Sequence, residues 1–83
     1  MILLFGCLRD LVPEGALEGL ALPQSFTYAQ LVDVLEAVSP VLVEAICEPG
    51  VKLAVNQAFV DKTEALILKA EDEIAFLPPL SGG

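Results

Sequence analysis

The sequence predicts an α+β domain in which a mixed β-sheet packs on one main helix. Three observations favour this fold class: a stretch with apolar residues at helical spacing, short apolar stretches on both sides of it, and a chain of 83 residues that fits one domain. A hydrophobic content of 55% is enough for a core, which argues against a disordered chain.

The first part of the chain predicts a β-hairpin. Residues 2–8 are nearly all apolar and are predicted as the first strand. Residues 9–12 fit one helical turn, which Pro13 ends. Residues 18–22 alternate weakly between apolar and other residues, so we expect a second strand that pairs with the first.

The central part predicts two helices. Thr27 and Gln30 form a capping-box pattern at the start of the main helix. Its apolar stripe, at spacings i, i+3, i+4 and i+7, consists of Leu31, Val34, Leu35 and Val38. Pro40 cannot continue this helix but can open another, with Ser39 as its N-cap, so residues 41–47 are predicted as a second short helix.

The last part predicts the remaining strands. Residues 51–57 form a third strand, residues 58–60 its continuation or partner, and residues 73–77 the last strand, with a short apolar segment at 65–68. Pro78 ends the last strand because proline lacks the N–H that a ladder requires. A helix between two strand pairs in a small protein is the β-grasp arrangement.

The predicted sheet is apolar on both faces. Residues 3–5 and 74–77 lack the alternation that is typical of strands with one face in water. A single helix layer covers one face, so part of the apolar surface is expected to stay open for a partner. The alternative is that loops or the second helix cover it.

The charge is strongly acidic, with 12 acidic and 4 basic residues and a net charge of −8. This argues against nucleic-acid binding, which depends on Lys and Arg at phosphates. It suits contact with basic partner surfaces, although a solvated acidic face explains the charge equally well. No membrane span is expected, because charges and Pro40 interrupt the most apolar stretch, residues 31–47, and the lack of an export signal predicts a cytoplasmic protein.

The side chains offer little for catalysis or metal binding. The chain has no histidine to act as a general base near neutral pH. Its two cysteines, Cys7 and Cys47, are too few for a zinc site and lie in apolar stretches, so both are predicted as small buried hydrophobic residues.

The chain ends in a tail, residues 78–83, that follows the domain of residues 1–77. Pro78 and Pro79 favour an extended backbone, and at ~3.1 Å per residue the tail would reach about 18 Å. Gly82 and Gly83 add almost no bulk, so the tail could enter a narrow active site and present its terminal carboxylate there.

Two segments resemble the small subunit of molybdopterin synthase. Residues 55–57 read V-N-Q, and residues 72–83 read D-E-I-A-F-L-P-P-L-S-G-G, close to that family's C-terminal pattern. Residues 4–6 and 8–11 are also similar to its first strand and turn. The family often has glycine where this chain has Glu71, and a positive φ there would cost glutamate roughly 1 kcal/mol.

This resemblance implies a ubiquitin-like sulfur carrier that is not an enzyme alone and binds no cofactor. An E1-like adenylating enzyme would use ATP to activate the Gly83 carboxylate, which a persulfide would convert to a thiocarboxylate. The tail would then enter the large catalytic subunit of molybdopterin synthase and deliver sulfur to a cyclic pterin precursor for molybdenum cofactor biosynthesis. The resemblance also implies a heterotetramer of two small and two large subunits.

The resemblance also implies which residues contact partners. Gly83 would carry the sulfur and Gly82 would keep the tail slim. The partner interface would consist of Phe5, Arg9, Phe59, Leu77, Pro78, Pro79, Leu80 and Ser81. For the apolar members, ordinary packing is the alternative explanation.

Other functions fit parts of the same pattern. A thiamine-type sulfur carrier or a ubiquitin-like modifier would share the fold and the Gly-Gly end. A plain protein-binding module would use the apolar sheet face and have an inert tail. A stand-alone enzyme is the alternative that the residues support least.

Overall fold

The computed structural model describes residues 1–79, and Leu80, Ser81, Gly82 and Gly83 lie outside that range. The described chain has the predicted α+β architecture. Its elements are β1 (Ile2–Leu4), a 3₁₀ helix (Gly6–Leu11), β2 (Ser25–Thr27), α1 (Tyr28–Val38), α2 (Pro40–Ile46), β3 (Lys52–Val55), β4 (Ala58–Val60), β5 (Ile67–Lys69) and β6 (Ile74–Leu77).

Four of the strands form a mixed sheet in the order β1-β6-β3-β4. β1 runs parallel to its neighbour β6, and β3 is antiparallel to both β6 and β4. β2 and β5 form a separate antiparallel pair. The parallel β1–β6 pair, which joins the two ends of the chain, places the exit of the tail beside the end of β1.

Both helices begin at the predicted caps. The Thr27 hydroxyl accepts from the Gln30 backbone N–H at 3.1 Å, and the Gln30 side chain accepts from the Thr27 N–H at 2.8 Å. The Ser39 hydroxyl accepts from the Leu42 N–H at 3.2 Å and donates to the Leu11 carbonyl at 2.7 Å. Within residues 1–79, no helix has the length and apolar character needed to cross a membrane.

The core lies between the inner face of the sheet and the two helices. Leu31 and Leu35 of α1 are fully buried, as predicted, whereas Val34 and Val38 at the edges of the stripe are only half-buried. Phe76 of β6 is fully buried and packs beside Tyr28, with ring centroids 6.4 Å apart. The buried cluster comprises Leu8, Phe26, Tyr28, Leu31, Leu35, Leu42, Ile46, Val51, Leu53, Leu68, Ile74 and Phe76.

The predicted N-terminal hairpin is wrong. β1 ends at Leu4 because Gly6 turns the backbone at φ +57° and begins the 3₁₀ helix. Residues 18–22 are the end of a turn followed by irregular chain instead of a strand, and the strand that follows them, β2, pairs with β5. The leucines of this segment still pack on the core, so burial without strand pairing satisfies its apolar pattern.

The predicted burial of the two cysteines is also wrong, because both are exposed. Cys7 lies in the 3₁₀ helix, where the neighbouring Leu8 is the buried residue. Cys47 follows the last buried residue of α2, Ile46, and serves as the C-cap of that helix. A local apolar stretch therefore does not decide which of its members faces the core.

The β3–β4 turn is a tight two-residue hairpin loop with backbone strain. Val55 pairs with Ala58, and the residues between them, Asn56 and Gln57, have φ values of 52° and 70°. Turns with positive φ at both positions favour Asn followed by Gly, because glycine has no Cβ to clash. Glutamine at the second position is thus unfavourable.

Replacing Gln57 with glycine is expected to stabilise the protein. The relief of a positive φ, partly offset by the greater unfolded-state entropy of glycine, should raise the free energy of unfolding by roughly 0.5–1 kcal/mol. Urea denaturation with an unchanged slope measures it. Gln57→Ala, which keeps the Cβ, is the control and should show no increase in the free energy of unfolding. A Gln57→Gly variant less stable than the wild type would contradict this account of the turn.

Asn56 and Asp72, which belong to the two resembling segments, contact each other. The Asn56 amide donates to Asp72 Oδ1 at 3.1 Å and its oxygen accepts from the Glu73 N–H at 3.0 Å. Asp72 Oδ2 accepts from the Lys69 N–H at 2.9 Å. This network closes the turn before β6 without a positive φ at Glu71, since the non-glycine residues of the described range with positive φ are Asn56 and Gln57.

The same hydrogen bonds predict an acid-sensitive contribution to stability. The Asn56 amide, and then the Lys69 backbone N–H, lower the pKa of Asp72 below its ordinary value. A carboxyl with a lower pKa in the folded state stabilises that state above its unfolded pKa and loses this contribution as the pH falls through the folded pKa. Asp72→Asn should therefore lose less stability in acid than the wild type, as measured by urea unfolding at several pH values, and an equal loss in both proteins would contradict this account of the turn.

Candidate docking surface and tail exit

The outer face of the sheet, opposite the helices, is apolar and partly open. Alternation along the strands sends the inward residues to the core and the others to this face. Cross-strand pairing then places a row of four residues across the outer face, one from each strand: Leu3, Ala75, Ala54 and Phe59. The two alanines in the middle of this row are buried, whereas Phe59 at its end is exposed.

The large apolar side chains at the end of this face are exposed. Phe59 is 70% exposed and Phe5 is 44% exposed, both unusually high for phenylalanine. They line an open groove of about 1150 Å³ at the end of β6, here called the tail groove. Its lining comprises Phe5, Gly6, Gly50, Lys52, Phe59, Val60, Asp61, Leu77, Pro78 and Pro79. The expectation that some apolar surface stays open is confirmed, because α2 packs against α1 and the 3₁₀ helix instead.

Two glycines hold the root of the tail in this groove. A Cβ at Gly6 would lie 2.9 Å from Pro78 Cγ, which is too close for any side chain there without a shift. A Cβ at Gly50 would lie 3.4 Å from Pro79. Pro78 and Pro79 therefore pass between two backbone segments that lack side chains, and their rings fix the backbone at the point where it leaves the sheet.

Replacing Gly6 with alanine is expected to disturb the tail exit. The positive φ at Gly6 would cost alanine about 1 kcal/mol, and contact with Pro78 would displace the tail root. We expect a lower free energy of unfolding and chemical-shift changes at Leu77. Urea unfolding and NMR measure these effects.

Gly15→Ala is the matched control for this prediction. Gly15 has a similar positive φ of +80°, but a Cβ there would meet nothing within 4 Å. This variant should lose a similar amount of stability while the chemical shifts of Leu77 stay those of the wild type. Equal chemical shifts at Leu77 in the two variants would contradict a role for Gly6 in placing the tail root.

The structure brings together most, but not all, of the residues expected at the partner interface. Phe5, Phe59, Leu77, Pro78 and Pro79 line the tail groove. Arg9 does not: it lines a separate depression beside β1, together with acidic residues of the 3₁₀ helix and the segment after it. The other expected contacts, at Leu80 and Ser81, and the chain end at Gly82 and Gly83, lie outside the described residues.

Five residues of the groove were not predicted as site residues: Gly6, Gly50, Lys52, Val60 and Asp61. Gly6 and Gly50 were not singled out, because their value depends on contact with a proline that is distant in sequence. Lys52 and Asp61 bring charge to the rim. For Lys52 a signal existed: strand alternation places it on the same face as Ala54, and pairing sets it opposite Leu77.

The groove has one lysine at its rim, and the next lysine along the chain points elsewhere. Lys52 is exposed beside the apolar surface. Lys62 instead donates to the carbonyls of Ile46 and Glu48, both at 2.8 Å, and so caps the end of α2. Burial in this position lowers the pKa of Lys62.

The groove has the properties of a docking surface. Its apolar floor and mixed rim resemble a protein interface, in which apolar anchors are surrounded by polar groups. Among residues 1–79, no three His, Cys, Asp or Glu side chains are grouped as a metal site requires.

The fold and the tail exit define a ubiquitin-like β-grasp protein. The structure is similar to the crystal structure of SAMP1 from Haloferax volcanii, with a TM-score of 0.67 and 19% sequence identity over 99% of this chain and 96% of that one. A search of curated proteins gives no match. The profile of the ThiS family matches residues 2–83, and the chain belongs to that family of ubiquitin-like sulfur carriers.

Proposed function

We propose that this sulfur carrier is the small subunit of molybdopterin synthase, with Gly83 as the residue that carries the sulfur. The observation that carries the proposal is the tail root. Pro78 and Pro79 leave the end of β6 between Gly6 and Gly50, beside an exposed apolar groove. The resemblance of residues 72–83 to the molybdopterin branch supports the choice of pathway.

The chemistry requires activation by another protein. A carboxylate is a poor electrophile until a leaving group is attached, and an E1-like adenylating enzyme would supply AMP as that group, using ATP. A persulfide would then attack the Gly83 carbonyl and expel AMP, which gives an acyl disulfide. A thiol would cleave the sulfur–sulfur bond of that acyl disulfide, forming a new disulfide with the former persulfide sulfur and releasing the thiocarboxylate. The resulting thiocarboxylate sulfur is a soft nucleophile that can attack the cyclic pterin precursor.

The folded domain would position this sulfur rather than react itself. Docking of the tail groove on the large catalytic subunit would place the tail in that subunit's active site and make sulfur transfer a local step. The net charge of −8 favours basic surfaces on both partners and would speed their encounter. Catalytic groups would come from the large subunit, in a complex of two small and two large chains.

Disruption of the gene, followed by assays of two pathways, tests the pathway assignment. We expect loss of molybdenum-enzyme activity with no requirement for thiamine, and rescue by the wild-type chain. A thiamine requirement with intact molybdenum enzymes would assign a thiamine-type carrier. Protein conjugates that end in Gly83 would assign a ubiquitin-like modifier, and rescue by a chain without Gly83 would assign a plain binding module.

A further inference from the structure

The edge strand β1 has backbone hydrogen-bonding groups that the protein does not use. The Ile74 N–H donates to the Met1 carbonyl at 2.8 Å, and the Phe5 N–H donates to the Phe76 carbonyl at 3.2 Å. In this parallel register, Ile2 and Leu4 must direct their N–H and C=O groups away from β6. Within residues 1–79, no hydrogen bond reaches these outward groups.

The segment between the 3₁₀ helix and β2 covers the core near β1 but does not pair with β1. Residues 14–19 form turns and residues 20–23 are irregular, with hydrogen bonds from the Ala16 N–H to the Pro13 carbonyl at 3.1 Å and from the Leu20 N–H to the Leu17 carbonyl at 3.3 Å. The leucines of this segment are partly buried against the core. A groove of about 870 Å³ lies between the segment and β1, and Ile2, Leu3 and Leu4 form one of its walls. The space beside the edge is thus open to an added strand.

The charge on the rim of this groove, here called the β1 groove, indicates what kind of added strand could bind there. Its charged lining residues are three acids and one base: Asp10, Glu14, Glu18 and Arg9. An open edge strand is a template for pairing with any extended chain. A second copy of this chain would bring the same acidic rim and a net charge of −8, so like charges oppose that pairing.

We propose that the β1 groove binds an extended segment of a partner protein that carries Lys or Arg, and that this segment adds a strand to the sheet at β1. The outward groups of Ile2 and Leu4 would form the ladder, while Glu14 and Glu18 would contact the basic side chains. β1 runs parallel to β6, so the added strand would lie roughly 10 Å from β6, two strand spacings away, and end near the tail exit. It would fix the direction in which a docked partner receives the tail.

NMR with two synthetic peptides tests this inference. The probes are an acetylated, amidated peptide of alternating Lys and Val, and the same peptide with Glu in place of Lys. At saturation, the basic peptide should slow hydrogen exchange of the Ile2 and Leu4 amides about tenfold, since both would become bonded. The Leu3 amide, which faces β6, is the internal reference and should exchange slowly throughout.

Two pairs of substitutions separate the rim charges from general acidity. Glu14→Gln with Glu18→Gln should weaken binding of the basic peptide about fivefold, the effect of losing two exposed ion pairs. Glu36→Gln with Glu44→Gln removes two exposed carboxylates from α1 and α2 and should leave the affinity unchanged.

Several results would overturn the inference. They are no response at the Ile2 and Leu4 amides up to millimolar basic peptide, equal protection by the acidic peptide, or equal weakening by both pairs of substitutions. Protection that grows with protein concentration in the absence of peptide would instead assign β1 to contact between copies of this chain. The test does not use sulfur transfer, so its outcome is independent of the proposed pathway.

Discussion

Deletion of Gly83 is expected to abolish sulfur loading while the domain stays folded. The proposed chemistry occurs at the terminal carboxyl, and deletion moves that carboxyl one residue, up to about 3.6 Å, back toward the groove. A displacement of this size removes the reacting atoms from an active site built for the full tail. The core ends at Phe76, so the thermal midpoint should not change.

Loading is measured by mass spectrometry after incubation with the adenylating enzyme, ATP and a persulfide source. Gly83→Ala keeps the length and the carboxyl but adds one methyl group, so it should load slowly instead of not at all. Comparison of the two variants separates the effect of tail length from the effect of side-chain size at the last residue. A Gly83 deletion that loads at the wild-type rate would rule out the proposed role of the chain end.

Truncation of Phe59 is expected to weaken partner docking more than any other single change in the tail groove. Phe59 is 70% exposed, so Phe59→Ala should change the stability of the fold little. If Phe59 is an aromatic anchor of the interface, its loss should cost about 2 kcal/mol or more of binding free energy, which is roughly thirtyfold in Kd. Calorimetric titration with the adenylating enzyme or the large catalytic subunit measures it.

The matched control is Val41→Ala on α2. Val41 is 56% exposed but lies outside the tail groove, so its truncation should leave the affinity within a factor of two of the wild type. Equal affinities for Phe59→Ala and the wild type would show that the exposed face is not the docking surface. An equal loss for both variants would indicate a general effect of lost apolar area.

The helices could be predicted from local sequence because short-range chemistry determines their ends. The capping box of Thr27 and Gln30 and the N-cap Ser39 before Pro40 act within four residues. The second strand could not be predicted in this way. Residues 18–22 have an apolar pattern that fits a strand, but whether such a segment pairs or only packs depends on the distant β1 edge.

The apolar residues of the tail groove could be predicted from the sequence, but the shape of the groove could not. Phe5, Phe59 and Leu77 meet because strand alternation and register bring them to one end of the outer face. Arg9 was expected at the same interface, but the 3₁₀ helix places it in the separate depression beside β1. The fit of the tail root against Gly6 could not be predicted, because Gly6 and Pro78 become neighbours only when β1 lies beside β6.

Intact-mass spectrometry of the wild-type chain tests the central claim most directly. The chain is co-expressed with an adenylating enzyme, purified without thiols and fragmented from its C-terminus. We predict the mass gain of one oxygen-to-sulfur exchange, localised to Gly83 and dependent on active adenylating enzyme. An unmodified C-terminus in the presence of active enzyme, or sulfur added at Cys7 or Cys47 as a persulfide instead, would contradict it.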